Sequence, residues 1–410
     1  MVIATVVGCA STERTSTVLV RDSAGIQIVE NQSPTWTVEA EWRLAASPAV
    51  DVGSDRDASP ELFRVEDVIG LGDGFAAINA ASSEVLLFDA GGRLLRRIGG
   101  RGAGPGEFTR LRSLYRCGGD TLAVNDVTRV TYFDVHGNLV RTQSVVPAQA
   151  DEFPRIQGSA SDCTLLVMSG SSTPGPARAM TTRRSSHAFW AGLDRAPRDT
   201  IGFFPGQELV GTIIDGIDQF LYLPWGIDGV SAVAGHRFYF GSSDRAEIHV
   251  YARGSGLVQI IRWPWEPRPV SAEDRRLYDE KRLWLLERFS SGTQVAPLLS
   301  EVSGIPTTKP VFRSFLVDDE GNLWVRRYPD FIAGRPDLYD RDVPLRYSPP
   351  PGEVPEVYAV FDAAGRWLGE VDVPADLIVR SVYRNQVIGV WKDELDVEHV
   401  RVYRLLKGPQ

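Results

Sequence analysis

The sequence predicts an all-β fold: a six-bladed β-propeller of four-stranded blades, closed by an N-terminal strand and carrying one helical insertion. Three observations point to it. The 410 residues include 39 glycines and 26 prolines among many Val, Thr, Trp, Tyr and Phe, with one long stretch of helical spacing, a composition of strands joined by turns. Six segments resemble one another, each a strand with an aromatic end, most followed by an Asp or Gly turn and a returning apolar strand. Their aromatic residues, Phe88, Phe133, Trp190, Tyr251, Phe361 and Tyr403, stand 45, 57, 61, 110 and 42 residues apart, near the roughly 40 to 50 residues that a four-stranded blade occupies.

Each element follows from a local pattern. The six repeats are VLLFDAGGRLLRRIG, VTYFDVHGNLVRT, AFWAGLDRAPRDTIG, EIHVYARGSGLVQII, YAVFDAAGRWLGEV and HVRVYRLL. Upstream of them, LRSLYR at Leu111, FRSFLV at Phe312 and VRSVYR at Val379 match almost letter for letter. Each precedes a short turn and a second apolar strand, TLAV at Thr121, NLWV at Asn322 and VIGV at Val387. The same order of pieces three times gives four strands per unit. The 110-residue interval is then one blade plus an insertion, placed at residues 264–310. There Ser271 opens a capping-box-like SAED, and Leu277, Tyr278, Leu285 and Phe289 recur at helical spacing. This predicts a helix over 271–290, lying on the side or top of the ring or as a lid over its central cleft. The last unit offers three strands before Gln410, so TVLVRDSAGIQIVEN is expected to supply the fourth, with residues 16–30 pairing with the last blade. Residues 16–410 would form one propeller.

Gly99 to Phe108 reads GGRGAGPGEF. Its glycines miss the register of a dinucleotide loop, and no Lys follows as in a P-loop. It reads as a turn between one unit and the next, with GFFPGQEL at Gly202 to Leu209 as a worn copy. These loops, together with PWGIDGVSAVAGHRFYF from Pro224, resemble those of the NHL-type and related six-bladed β-propellers. The resemblance covers roughly residues 55–406 and implies an architecture, not an activity.

A net charge of −9 argues against nucleic acid or an anionic membrane surface as a partner. No run of about 18 apolar residues is present to span a bilayer. Residues 1–15 read as the remnant of a lipoprotein signal and a tether. In MVIATVVGCAST the stretch Val6-Val7-Gly8-Cys9 resembles a bacterial lipoprotein cleavage site, with Cys9 as the lipidation residue, although only eight residues and no Lys or Arg precede it. The resemblance implies a monomer outside the cytoplasm, in the periplasm, at the outer membrane or on the cell surface, that meets the membrane only through its lipid anchor. Cys117 and Cys163 both precede an equivalent strand in neighbouring units. They are either a disulfide or two buried thiols.

Chemistry is sparse. The five histidines show no zinc spacing, and there is no nucleophile elbow. No catalytic residue, metal ligand or cofactor is assigned. Glu247 and His249 share a strand face and could share a metal, but read as the solvated side of an outer strand. Gluconolactonase-type propellers hold a divalent cation with groups from several blades, a set that spacing cannot reveal, so a cation in the channel stays open.

Superposing the repeats puts Arg112, Arg313 and Arg380 at one position and Arg64, Arg110 and Arg155 at another, two residues earlier. The innermost strands of a propeller border its channel, so these six would form a basic ring in an acidic protein. Guanidinium forks bind carboxylate or phosphate in bidentate fashion. With Trp225, these arginines are the candidate ligand-binding residues, for a small anionic ligand or a partner protein with an acidic terminus. Alternatively, the arginines pair with Glu66, Asp67, Asp228 and Asp376 and hold blades together. The functional expectation is a ligand-binding or protein-interaction scaffold rather than an enzyme. The other reading, a metal-dependent hydrolase or lyase, requires carboxylates or histidines from at least three blades converging at the channel mouth.

Overall fold

Strands such as TLAVND and EVLLF bury nearly every side chain, as aliphatic runs do when both faces of a sheet are covered. The computed structural model describes residues 17–53, 60–118, 121–127, 129–144, 152–171, 181–192, 197–214, 217–276, 278–279, 305–328, 355–375, 377–393, 395 and 397–408. The N-terminal strands are β1 (Val18–Ser23), β2 (Ile26–Asn31), β3 (Arg43–Leu44) and β4 (Val50–Val52). Blade 1 holds β5 (Val65–Leu71), β6 (Gly74–Asn79), β7 (Glu84–Phe88) and β8 (Leu94–Gly99). Blade 2 holds β9 (Ser113–Cys117), β10 (Thr121–Asp126), β11 (Arg129–Phe133) and β12 (Leu139–Ser144). Blade 3 has β13 (Glu152–Ser159), β14 (Leu165–Ser171), β15 (Thr181–Ala191), β16 (Pro197–Ile214) and a fifth strand, β17 (Ile217–Tyr222). Blade 4 holds β18 (Gly229–Ala234), β19 (Arg237–Ser242), β20 (Glu247–Ala252) and β21 (Gly256–Arg262). Blade 5 holds β22 (Phe312–Val317), β23 (Leu323–Arg327), β24 (Glu356–Phe361) and β25 (Trp367–Val373). Blade 6 holds β26 (Ile378–Tyr383), β27 (Gln386–Lys392) and β28 (Glu398–Leu406).

Within each blade the strands follow chain order, antiparallel throughout. The first strands β5, β9, β13, β18, β22 and β26 neighbour one another in a closed circle, so they are innermost and border the central channel. Six apolar clusters fill the spaces between adjacent blades. The segments LRSLYR, FRSFLV and VRSVYR fall on innermost strands, as their repetition predicts.

The repeated D-x-x-G letters have a physical origin. Asp89 accepts the N–H groups of Gly91 and Arg93 at 3.0 and 2.9 Å, Asp134 those of His136 and Asn138 at 2.9 and 2.8 Å, and Asp362 those of Ala364 and Arg366 at 3.0 and 2.9 Å. Each turn passes through a glycine with φ near +80°, Gly92 (83°), Gly137 (77°) and Gly365 (81°), a conformation that side chains disfavour.

Three expectations are corrected. Residues 16–30 do not pair with the last blade. Instead β2 pairs in parallel with β21, and the β1–β2 hairpin extends blade 4 to six strands. Asn31 fixes it there: its Nδ2 donates to the carbonyls of Arg262 and Gly365, both at 3.0 Å, and its Oδ1 accepts the Trp367 N–H at 2.8 Å, across blades 4 and 5. The chain then crosses blade 5 through Trp36, which meets Trp42 at 4.9 Å, and closes the ring with β4, antiparallel to β28. The closing strand is N-terminal, but it is Val50–Val52. Second, GFFPGQEL is not an inter-blade turn but lies within β16. Third, the long interval contains a further stretch between β23 and β24, residues 328–355, besides the one at 264–310. The described part of the helix covers residues 272–276 and 278–279; Leu277, Leu285, Phe289, Asp376 and Cys9 lie outside the described residues. Ser271 and Asp274 form the capping box read from SAED, Asp274 N–H to Ser271 Oγ at 3.0 Å and Ser271 N–H to Asp274 Oδ2 at 2.7 Å.

Candidate anion site at the channel rim

In β9, β22 and β26 the arginine precedes Ser113, Ser314 and Ser381. The pairing register sets Val68 opposite Ala77 as it sets Leu114 opposite Val124, so in the first blade Glu66 takes the place of the arginine and Asp67 that of the serine. Between first and second strands the ladder shifts at Val65/Val68, Ile156/Gly158, Phe312/Ser314 and Val379/Ser381. A β-bulge takes a residue out of the ladder and re-aims its side chain. The residues at these shifts are Glu66 and Asp67 together, Gln157, Arg313 and Arg380.

Asp67 is half-buried on β5 and bridges blades 1 and 2. Its Oδ1 accepts the Val68 N–H at 2.9 Å and its Oδ2 the Leu114 N–H at 2.8 Å. Burial, the largest influence, pushes its carboxyl up to about 6, against the lowering pull of the Arg380 guanidinium and those two N–H groups. Arg380 is half-buried on β26, and its buried Nε has no acceptor among the described residues. Arg380 also neighbours the buried Tyr358, beside Arg326 and Glu356. Arg326 and Glu356 form an ion pair. Burial raises the Glu356 carboxyl, opposed by Arg326 and Arg313. Arg313 lies 6.0 Å from the centre of the Tyr328 ring. Blades 1, 5 and 6 therefore contribute three guanidinium groups and two carboxylates to one connected cluster.

On the opposite side of the circle neutral hydrogen bonds link the innermost strands. Ser113 Oγ donates to the Tyr115 hydroxyl and that hydroxyl to the Ile156 carbonyl, both at 2.8 Å, while Ser231 donates to Gln157 Oε1 at 3.0 Å.

Of the other sequence candidates, Trp225 adjoins this cluster through Tyr328. Arg64 is exposed and pairs with Glu66 at 3.1 Å. Arg110 and Arg155 are exposed, and Arg112 is half-buried at the start of β9. Trp225 is only 3% exposed; it packs on Tyr278 with ring centres 5.6 Å apart, in a cluster with Val270 and Tyr328. Beside it Lys309 and Asp274 form a buried ion pair at 2.9 Å. Arg313 acts on Glu356 and Arg380 on Tyr358, so Arg326, Glu356 and Tyr358 link the two arginines unforeseen. Those three lie on second and third strands, where no repeat singled them out.

Glu247 accepts Arg262 Nε at 2.7 Å and lies 2.7 Å from His249 Nε2, an ion-pair cluster on outer strands. Among the described residues no group of three or more His, Cys, Asp or Glu side chains is placed to hold a metal ion. No step through a cation is derived. Cys117 and Cys163 are disulfide-bonded, with Cα atoms 5.0 Å apart, tying the end of β9 to the turn after β13.

No family model matches the chain, and no curated protein matches it. Solved structures are similar to it at low sequence identity. A candidate exported protein of Bacteroides fragilis is 11% identical, with a TM-score of 0.46, over 93% of this chain and 100% of that one. A member of the DUF4221 family from Bacteroides vulgatus is 12% identical, with a TM-score of 0.44, over 90% and 99%. A gluconolactonase from Xanthomonas campestris is 13% identical, with a TM-score of 0.36, over 92% and 99%. At this distance the likeness carries no assignment of function.

Proposed function

We propose that this protein is an extracytoplasmic, lipid-anchored, NHL-like propeller that binds a small carboxylate- or phosphate-bearing ligand at the channel rim beside Arg313 and Arg380. The observation that carries the reading is Arg380, half-buried on an innermost strand with a buried Nε that no acceptor meets. A guanidinium in that state gains a charge-assisted hydrogen bond when an oxyanion arrives. Arg313 and Arg326 add positive charge beside it. The Cys117–Cys163 disulfide supports an oxidising compartment, and the sequence around Cys9 supports the anchor.

Calorimetric titration with sulfate and with citrate tests the site. Saturable binding that weakens at least tenfold in Arg380→Gln is the expected result; no binding, or equal affinity in the variant, contradicts it. For the anchor, cells fed labelled palmitate should label the wild-type chain and not Cys9→Ser.

A further inference from the structure

Asp67 stands on innermost strand β5 at the ring position that Ser113, Ser314 and Ser381 hold in the blades where an arginine precedes it. Asp67 cannot swing aside, because backbone N–H groups from β5 and β9 hold both of its oxygens at 2.9 and 2.8 Å. It therefore stays next to Arg380 whatever else arrives. It also leaves the guanidinium unsaturated, since Arg380 Nε keeps no acceptor. An oxyanion completing that guanidinium must share the enclosure with a fixed carboxylate.

We propose that Asp67 is a built-in counter-ion for Arg380, and that an anion bound there displaces its charge, so that each binding event takes one proton from solvent onto the Asp67 carboxyl. This rests on the anion-binding reading above. Two like charges in one water-poor site cannot both stay ionised, and the group that can take a proton does so. The surroundings leave Asp67 as that group. On its own strand the other carboxylate is Glu66, which is paired with Arg64. From β9 come Tyr115, whose buried phenol is pushed further up, and Arg116, which donates to the Gly70 carbonyl and stacks on Tyr383 from β26 at 4.0 Å. β26 also supplies Arg380, while β6 offers no titratable side chain. Lys392 on β27 is paired with Glu398, which accepts the Val65 N–H at 2.7 Å. Burial already holds the Asp67 carboxyl near 6, so a bound anion moves it further into the neutral range.

Sulfate is the probe, because its charge is constant across the range. Wild-type protein is titrated by calorimetry at about pH 7 in two buffers of different ionisation enthalpy. The apparent enthalpies should differ by about one proton's worth, and sulfate affinity should fall about tenfold per pH unit between about pH 6 and 8. In Asp67→Asn the pH dependence should vanish. The wild-type buffer comparison needs no variant, so a poorly folded Asp67→Asn leaves the test intact. Sulfate binding with no proton uptake and equal affinity at pH 6 and 8 overturns the inference and leaves the site standing. No sulfate binding by wild type at pH 5 overturns the site and the inference together.

Discussion

Asp67 in blade 1 and Asp126 in blade 2 are both enclosed carboxylates near the innermost strands, yet they sit on opposite sides of the usual range. For each, burial is the largest influence and acts upward. Asp126 nevertheless ends lowered. Four donors reach it: Thr109 N–H at 3.0 Å, Thr109 Oγ at 3.0 Å, Arg110 N–H at 2.5 Å and Arg129 Nε at 3.0 Å. Arg129 in turn donates to the carbonyls of Ala103 and Glu107 at 3.0 and 2.6 Å, which ties down the glycine-rich turn. Asp67 has two backbone donors and one neighbouring guanidinium. The larger number of donors holds Asp126 ionised, whereas burial prevails at Asp67.

The comparison can be broken at either residue. Asp126→Ala should cost most, about 3 kcal/mol, because it removes the acceptor of two N–H groups, of the Thr109 hydroxyl and of the half-buried Arg129 Nε; an unchanged urea midpoint would contradict the structural role. The pH response comes next. A raised carboxyl is favoured protonated in the folded state, so on Asp67's account stability falls as pH rises from the unfolded value of 3.8 to about 6, on the order of 2 kcal/mol. Asp126 acts oppositely: its contribution is present above the unfolded value and is lost as pH falls through its lowered folded value. Denaturant titrations at about pH 4 and 7 should show Asp67→Asn removing the first slope, and titrations continued below about pH 4 should show the second one kept. Thr109→Ala should cost about 1 kcal/mol by removing one donor to Asp126, with Thr109→Ser recovering most of it. Asp89→Ala, in an exposed turn with the same N–H pattern, should cost less, about 0.5 kcal/mol, read as a small shift in the same urea midpoint.

The blades were legible because aromatic strand ends and D-x-x-G turns recur at blade spacing. The site was half legible. Arg313 and Arg380 stand out in repeated FRS and VRS pairs, but Asp67 falls at the serine position, three residues after Arg64 as Ser113 is three after Arg110, where no repeat marks a carboxylate. Arg326 and Glu356 meet across strands separated by a long insertion, a contact that no local pattern announces. Val50–Val52 is too short to show alternation. GFFPGQEL reads as a turn because Pro and Gly usually end strands, but in blade 3 register shifts along β15 and β16 absorb them.

An anomalous-difference map from crystals soaked in selenate, the sulfate analogue, tests the rim most directly. Binding beside Arg380 predicts a selenium peak within hydrogen-bonding reach of its guanidinium and near Arg313, absent from Arg380→Gln crystals. A peak confined to the exposed Arg64, Arg110 or Arg155, or one that persists in Arg380→Gln, would contradict the account.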